Sequence, residues 1–111
     1  MARFQFKLDQ LRQLRESTRD ERRASLAEAF RAQQILAQRQ EALHRELRQS
    51  HDAQRALIAA GGLDVNRAIE QQRFRMAIES NQATLTQQSA ALEAEVERRR
   101  LALVEADREV R

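Results

Sequence analysis

The residues best suited to chemistry in this chain are two histidines, and their spacing argues against a metal site. Glu41 and His44 have the Glu-x-x-His spacing of di-iron helical bundles. Such a site takes a second copy of this motif on a facing helix, and the second half of the chain has no histidine. On a helix, His44 and His51 stand about 10 Å apart, too far to share one metal ion. We therefore expect solvated histidines and no metal.

Other parts of an active site are also missing from the sequence. The chain has no cysteine to act as a thiol nucleophile, and its two adjacent glycines do not form a glycine-rich phosphate loop. Serine, histidine and aspartate occur, but a pair of helices offers no rigid pocket in which to arrange them. We expect a protein that is not an enzyme and that takes no cofactor and no small-molecule substrate.

Three consecutive arginines, Arg98, Arg99 and Arg100, form the strongest basic cluster. On a helix, consecutive side chains fan over about 200° and do not form one stripe. Three glutamates lie within residues 93–97, directly before the cluster. A solvated face is the expected interpretation, and binding of phosphate or of an acidic partner is the alternative. Because no aromatic residue lies nearby to stack on bases, we expect no nucleic-acid partner.

The composition favours a narrow apolar seam over a globular core. Of the 111 residues 33% are charged, and the aromatic residues are four phenylalanines. A disordered chain would carry many prolines and glycines, whereas this one has no proline and is rich in helix formers. No apolar run approaches the ~20 residues that span a bilayer, and the amino terminus lacks a hydrophobic signal core. These features predict a soluble, intracellular coiled coil.

The helical pattern must stop only at Gly61-Gly62, the two glycines of the chain. Glycine readily adopts the left-handed backbone that ends a helix, and Asp64 can cap the helix that follows. One continuous rod is the alternative, because two glycines inside a helix cost only about 2 kcal/mol. We predict an all-α fold, an antiparallel two-helix coiled-coil hairpin that forms a single domain over 1–111. The predicted boundaries are arm one at about 4–60, the turn at 61–63 and arm two at about 64–111.

Heptad spacing predicts which residues join the arms. Two tracks on arm one are Ala29, Leu36, Leu43, Ser50 and Leu57, and Leu26, Gln33, Gln40, Leu47 and Gln54. The tracks on arm two are Ile78, Leu85 and Leu92, with Val96, Leu103 and Val110. Folding at the glycines brings Leu47 near Ile78, Leu26 and Ala29 near Val96, and Arg22 near Leu103. The resulting seam is half polar and should be weaker than a leucine zipper.

Four apolar residues at the amino terminus have no predicted partner in the chain. We call them the apolar tip: Phe4, Phe6, Leu8 and Leu11. Arm two ends at Arg111, which the predicted pairing places opposite about Leu14. A Phe or Leu side chain that stays exposed forgoes roughly 1.5–3 kcal/mol of the stabilisation that its burial would give. We therefore expect the tip to meet a continuation of arm two beyond Arg111, a second copy or a partner.

The start of arm two is apolar on more than one face. Ile78 belongs to the seam, Phe74 sits at its edge, and Ile69 and Met76 fall outside it. Phe74 either leans over the seam and closes this end of the hairpin, or it anchors a partner. Spacing alone leaves both interpretations open.

The order of these features resembles the FliJ family, the small coiled-coil component of the bacterial flagellar type III export apparatus. The opening, Phe4-Gln-Phe-Lys-Leu-Asp-Gln-Leu-Arg-Gln-Leu-Arg-Glu16, is similar to the family's start, in which an aromatic leads into a Leu-rich segment ending in Leu-Arg. The turn and the residues after it are similar as well: Gly61-Gly62-Leu63, Asn66-Arg67, Ile69, Gln72-Arg73-Phe74 and Ile78.

The resemblance implies a non-catalytic stalk whose terminal end inserts into the hexameric export ATPase and promotes ring assembly and hydrolysis. It also implies binding to the export gate in the membrane, through Phe74, Ile78 and Leu85, and a role in handling export chaperones. Asn81 lies at a further position that the resemblance implies in gate binding. The family leads us to expect a small apolar residue there. The apolar tip is the candidate contact with the ATPase ring. The location implied is cytoplasmic, peripheral at the inner membrane beside the flagellar basal body, with a role in motility and chemotaxis.

Two other classes of function stay open at this point. One is a generic structural coiled-coil scaffold unrelated to flagella, which would neither bind the export ATPase nor change its turnover. The other is an arginine-driven nucleic-acid binder, which would be retained on DNA with a steep salt dependence.

Overall fold

The structure is a computed structural model that describes residues 2–61 and 64–111, and these residues form two helices. Helix α1 runs over Ala2–Ala59 and helix α2 over Val65–Val110. Helix formers without an interrupting proline explain why each helix is continuous. The described residues contain no strand. The predicted all-α fold is confirmed, and each helix ends within two residues of its predicted arm.

A left-handed glycine follows the carboxyl end of α1. Gly61 has φ of 71°, and its N–H donates to the carbonyl oxygen of Ile58 at 3.0 Å. This backbone satisfies one of the carbonyl groups that the end of a helix leaves unpaired. Gly61 therefore has the predicted role. Gly62 and Leu63, the other residues of the predicted turn, lie outside the described residues.

Asp64 caps the amino end of α2. Its Oδ1 accepts a hydrogen bond from the backbone N–H of Asn66 at 2.8 Å, while its own carbonyl accepts from Ala68 at 3.0 Å. This pattern satisfies one of the free N–H groups at the start of the helix and starts the helical ladder. The predicted capping role of Asp64 is confirmed.

The contacts within the chain fall into two units, each of which contains a piece of both helices. The turn unit comprises Gln34–Ala90. In it, Arg75 Nη2 donates to Gln54 Oε1 at 2.8 Å, and Gln82 Nε2 lies 3.5 Å from His44 Nδ1. Residue numbers fall along α1 as they rise along α2, so the two pieces pack antiparallel.

The terminal unit comprises Met1–Gln33 and Ala91–Arg111. Its two pieces are also antiparallel. Arg99 Nη1 donates to the backbone carbonyl of Ser25 at 2.7 Å, and the last residues of α2 lie beside residues 8–15 of α1. The bond to Ser25 agrees with the predicted placement of Leu26 near Val96.

The predicted heptad tracks form the seam in both units. Among the residues that the structure describes, the buried ones are Leu36 and Ile78 in the turn unit and Ala29 and Ala106 in the terminal unit. The other members of the tracks are half-buried, including the polar residues Gln33, Gln40, Ser50 and Gln54. The half-polar seam predicted from the heptads is therefore present, and two of its four buried side chains are alanines that allow close approach of the helices.

Candidate partner-binding surfaces

The apolar tip is exposed in the terminal unit. Phe4 and Phe6 are 67% and 63% exposed, and Leu8 and Leu11 are also exposed. Phe4, Leu8 and Leu11 follow one another at spacings of four and three residues, so they lie on one face of α1. Thr18, seven residues after Leu11, is half-buried, so this face continues the seam. Phe6 lies two residues from Phe4 and therefore on another face.

The end of α2 lies beside residues 8–15 of α1, a range that includes the predicted position. An open groove of about 240 Å³ is lined by Leu8, Leu11, Arg12, Arg15, Val110 and Arg111. Arg12 and Arg15 flank Leu14, the residue predicted to lie opposite Arg111, so the placement of Arg111 agrees with the prediction. Leu8 and Leu11 therefore have α2 residues nearby, whereas Phe4 and Phe6 do not line this groove.

The three candidate gate residues have different environments in the turn unit. Phe74 is 46% exposed, Leu85 is half-buried, and Ile78 is only 3% exposed. Ile78 lies in the seam and offers a partner no surface while the helices are packed. As a direct contact it is therefore not supported, and we assign it to packing. Phe74, by contrast, lies four residues before Ile78 with nearly half of its surface exposed.

A groove runs beside Leu85 between the two helices of the turn unit. It measures about 390 Å³ and is lined by Arg39, Ala42, Leu43, Glu46, Asn81, Thr84, Leu85 and Gln88. Leu43 and Leu85 are half-buried, so they form an apolar floor between polar rims. Sequence reasoning missed the α1 side of this groove. The predicted fold already placed residues 39–46 opposite 81–88, and this was the signal that could have found it.

His44 takes part in a polar contact across the seam. Beside it, Gln40, Gln82 and Thr86 line a small groove of about 130 Å³. Gln82 is the residue whose amide nitrogen lies near the His44 ring. Across residues 2–61 and 64–111, no three His, Asp or Glu side chains cluster as metal ligands would. His44 and His51 are both exposed, as the sequence predicted, and the contact of His44 with Gln82 is long.

The arginine cluster is paired within its own helix. Arg98 hydrogen-bonds Glu95 through its Nε at 3.0 Å, Arg99 Nε donates to the same carboxylate at 2.9 Å, and Arg100 Nη2 donates to Glu97 at 2.7 Å. Each guanidinium thus has a carboxylate three or four residues before it. The cluster does not present three unpaired cations to a phosphate, which favours the predicted solvated face.

These pairs shift the ionisation of the groups that form them. Hydrogen bonds from Arg98 and then Arg99 lower the pKa of Glu95, because they favour its charged form. The hydrogen bond from Arg100 likewise lowers the pKa of Glu97, and the carboxylate of Glu97 raises the pKa of Arg100. The cluster is therefore most strongly held when both carboxylates are ionised.

No family model matches this sequence, and neither curated proteins nor solved structures give a match. In the part of the chain that the structure describes, neither helix has a stretch long and apolar enough to cross a bilayer. The fold and surfaces define the class: a two-helix coiled coil with a half-polar seam and separate exposed apolar groups in each unit.

Proposed function

We propose that this chain is a non-enzymatic stalk of the bacterial flagellar protein export apparatus. It binds the export ATPase ring and the membrane export gate, and it helps to handle export chaperones. It acts in the cytoplasm, at the inner face of the inner membrane beside the flagellar basal body, and is needed for motility. The observation that carries the proposal is the exposure of Phe74, which follows the turn at the position where the resemblance implies gate binding.

An exposed phenylalanine beside a seam is suited to anchoring a partner. Aromatic residues are enriched among the side chains that dominate binding energy, because they bury a large apolar area when a partner covers them. Phe74 has this area available, and Leu85 adds a half-buried apolar side chain further along α2. In the proposed gate surface these two residues make contact, and Ile78 holds α2 against α1 beneath them.

The apolar tip is suited to a partner that encloses it. Phe4 and Phe6 lie on different faces of α1 and are both mostly exposed. A partner that packs on one side covers only one of these rings, whereas a ring of subunits covers both. We therefore assign the tip to the central opening of the export ATPase.

Asymmetry of the tip supplies a mechanism for coupling to ATP turnover. One face of α1 carries Phe4, Leu8 and Leu11, and another carries Phe6. Subunits around the tip would therefore meet different side chains and make different contacts. Contacts that favour one subunit conformation over another shift its population, and this changes the rate of hydrolysis without any catalytic group from the stalk.

Binding assays with purified components test this proposal. The full chain, immobilised, should retain both the flagellar export ATPase and the cytoplasmic part of the export gate. Phe74→Ala should weaken retention of the gate and leave retention of the ATPase unchanged. If neither protein is retained by the wild-type chain, the proposal is wrong and a structural scaffold unrelated to flagella is favoured.

A further inference from the structure

We infer that residues 2–15 of α1, which we call the basic segment, bind the surface of an anionic lipid bilayer. The apolar side chains of the segment enter the boundary between headgroups and acyl chains, and its cations pair with lipid phosphates. The inference goes beyond the proposed function, because it gives the apolar tip a second partner besides the ATPase ring. Ring and bilayer cover the same side chains, so the segment binds one of them at a time.

The basic segment accounts for the whole net charge of the chain. It holds four cations, Arg3, Lys7, Arg12 and Arg15, against one carboxylate, Asp9, and the chain as a whole has a net charge of +3. The other residues are therefore neutral in total. In the described part of the chain, none of the four cations forms an ion pair or a side-chain hydrogen bond. Their charge remains available to an anionic partner.

Large apolar side chains are concentrated in the same segment. All of residues 2–15 are exposed. Among them Phe4, Phe6 and Leu14 are 63–67% exposed, and Leu8 and Leu11 lie between them. An exposed apolar patch of this kind marks a site for a partner or a membrane.

The apolar side chains of the segment share one face of α1, with Leu11 at its centre. At 100° per residue, Phe4 lies about 20° from Leu11 around the helix, and Leu8 and Leu14 lie about 60° away on opposite sides. Phe6 is the exception and lies on another face. A face of this width is typical of helices that lie at a membrane interface.

The charges are arranged around the apolar face as an anionic plane requires. Arg3 and Arg12 border the face, about 80° and 100° from Leu11 on opposite sides, and Asp9 lies about 160° away. Lys7 and Arg15 lie within the face, about 40° from its centre. Their long stems can cover apolar surface while the charged groups reach the level of the phosphates. All four cations therefore face the bilayer side, and the carboxylate faces away from it.

Charge and apolar area together select a bilayer over other anionic partners. A nucleic acid would neutralise the cations but leave the apolar face in water. An acidic protein surface usually carries charges of both signs, whereas a leaflet rich in anionic lipids is negative throughout its plane. Cations on both sides of the apolar face match such a plane.

The end of α2 determines how the segment meets the bilayer. Val110 and Arg111 lie beside residues 8–15 of α1, in the groove that Leu8 and Leu11 also line. Since α2 occupies part of this side, the free turns around Phe4 must enter the interface first. Arg111 then adds a fifth cation behind them, next to Arg12 and Arg15.

Sedimentation of the full chain with lipid vesicles tests the inference. Vesicles of phosphatidylglycerol and phosphatidylcholine in equal parts should bind the chain at least about tenfold more tightly than vesicles of phosphatidylcholine alone. Arg12→Gln and Arg15→Gln should each weaken binding to the anionic vesicles about fivefold. Arg22→Gln and Arg23→Gln are matched controls, because both residues are exposed on the same helix outside the segment. Each control should change the affinity less than twofold.

Tryptophan fluorescence tests whether the apolar face enters the bilayer. The chain has no tryptophan, so Phe4→Trp places a single reporter in the segment. Its emission should shift to shorter wavelength when anionic vesicles are added. Phe30→Trp is the matched control, since Phe30 is 48% exposed in the same unit but outside the segment, and its emission should not shift.

The contrary outcomes are specific to this inference, because neither assay contains the ATPase or the gate. No binding, equal binding to both kinds of vesicle, segment variants that match their controls, or an unchanged Phe4→Trp emission would each overturn it and leave the proposed function as it stands. Retention of the chain on immobilised polyglutamate without binding to anionic vesicles would make an acidic protein surface the partner, which also overturns the inference.

Discussion

Phe74 and Ile78 lie four positions apart on α2, and their side chains have opposite environments. Phe74 is nearly half exposed, and Ile78 is almost fully buried against α1. Heptad spacing placed Ile78 in the seam correctly, because a track residue faces the other arm. It left Phe74 undecided, because the exposure of a residue at the edge of a seam depends on the side chains across from it.

The two residues should therefore respond differently to truncation. Ile78→Ala should lower the free energy of unfolding by about 2–4 kcal/mol, since it removes buried atoms and leaves a cavity. Phe74→Ala should lower this free energy by less, about 1 kcal/mol, because nearly half of its surface is already exposed in the folded chain. Urea unfolding followed by circular dichroism measures both values. Equal losses for the two variants would mean that Phe74 is a seam residue.

Ionisation of Glu95 links the stability of the terminal unit to pH. The arginines lower the pKa of Glu95 in the folded chain, so its contribution is fully present above the ordinary glutamate range, about pH 4.3. The contribution of Glu95 is lost as the pH falls through its lowered pKa in the folded chain. Glu95→Gln should flatten the decline in unfolding free energy between about pH 5 and pH 3.

Glu93→Gln is the matched control for this titration. Glu93 is exposed and forms no side-chain hydrogen bond in the described part of the chain. As the pH falls, the unfolding free energy of Glu93→Gln should therefore decline more steeply than that of Glu95→Gln. Identical curves for the two variants would show that the arginine pairs do not stabilise the fold.

At the scale of the elements, the two helices and their caps follow from local features of the sequence. Gly61 and Asp64 act through their own backbone and side chain, so their roles could be predicted without knowing the packing. The α1 wall of the groove and the bond from Arg99 to Ser25 could not. Both depend on how α1 and α2 are aligned, and an alignment error of one turn would move every contact across the seam.

Replacement of Gly61 tests the left-handed end of α1. Gly61→Ala should destabilise the chain by roughly 1–2 kcal/mol, because a β-carbon disfavours a φ of 71°. No atom lies within 4 Å of the position that this carbon would occupy, so the cost comes from the backbone alone. Gly61→Asn should therefore lose less stability than Gly61→Ala, since asparagine tolerates this conformation. Thermal unfolding of the two variants gives the comparison, and equal losses would contradict the cap.

At the scale of the whole molecule, a stalk that works through its partners needs apolar side chains that contribute little to the stability of the free chain and are covered only by a partner. The apolar tip fits this requirement best, since Phe4 and Phe6 are the most exposed phenylalanines. The sequence predicted the exposure of these residues, because no seam residue remained to cover them. The identity of the partner comes from the resemblance, and only a functional measurement tests it.

The most direct test is the ATP turnover of the purified export ATPase with the full chain and its variants. The wild-type chain should raise turnover, and the double variant Phe4→Ala/Phe6→Ala should not, although its helicity and unfolding curve match those of the wild type. Phe30→Ala is the matched control, because Phe30 is 48% exposed in the same unit but outside the tip, and it should stimulate normally. Turnover that is the same with and without the wild-type chain would contradict the proposed stalk.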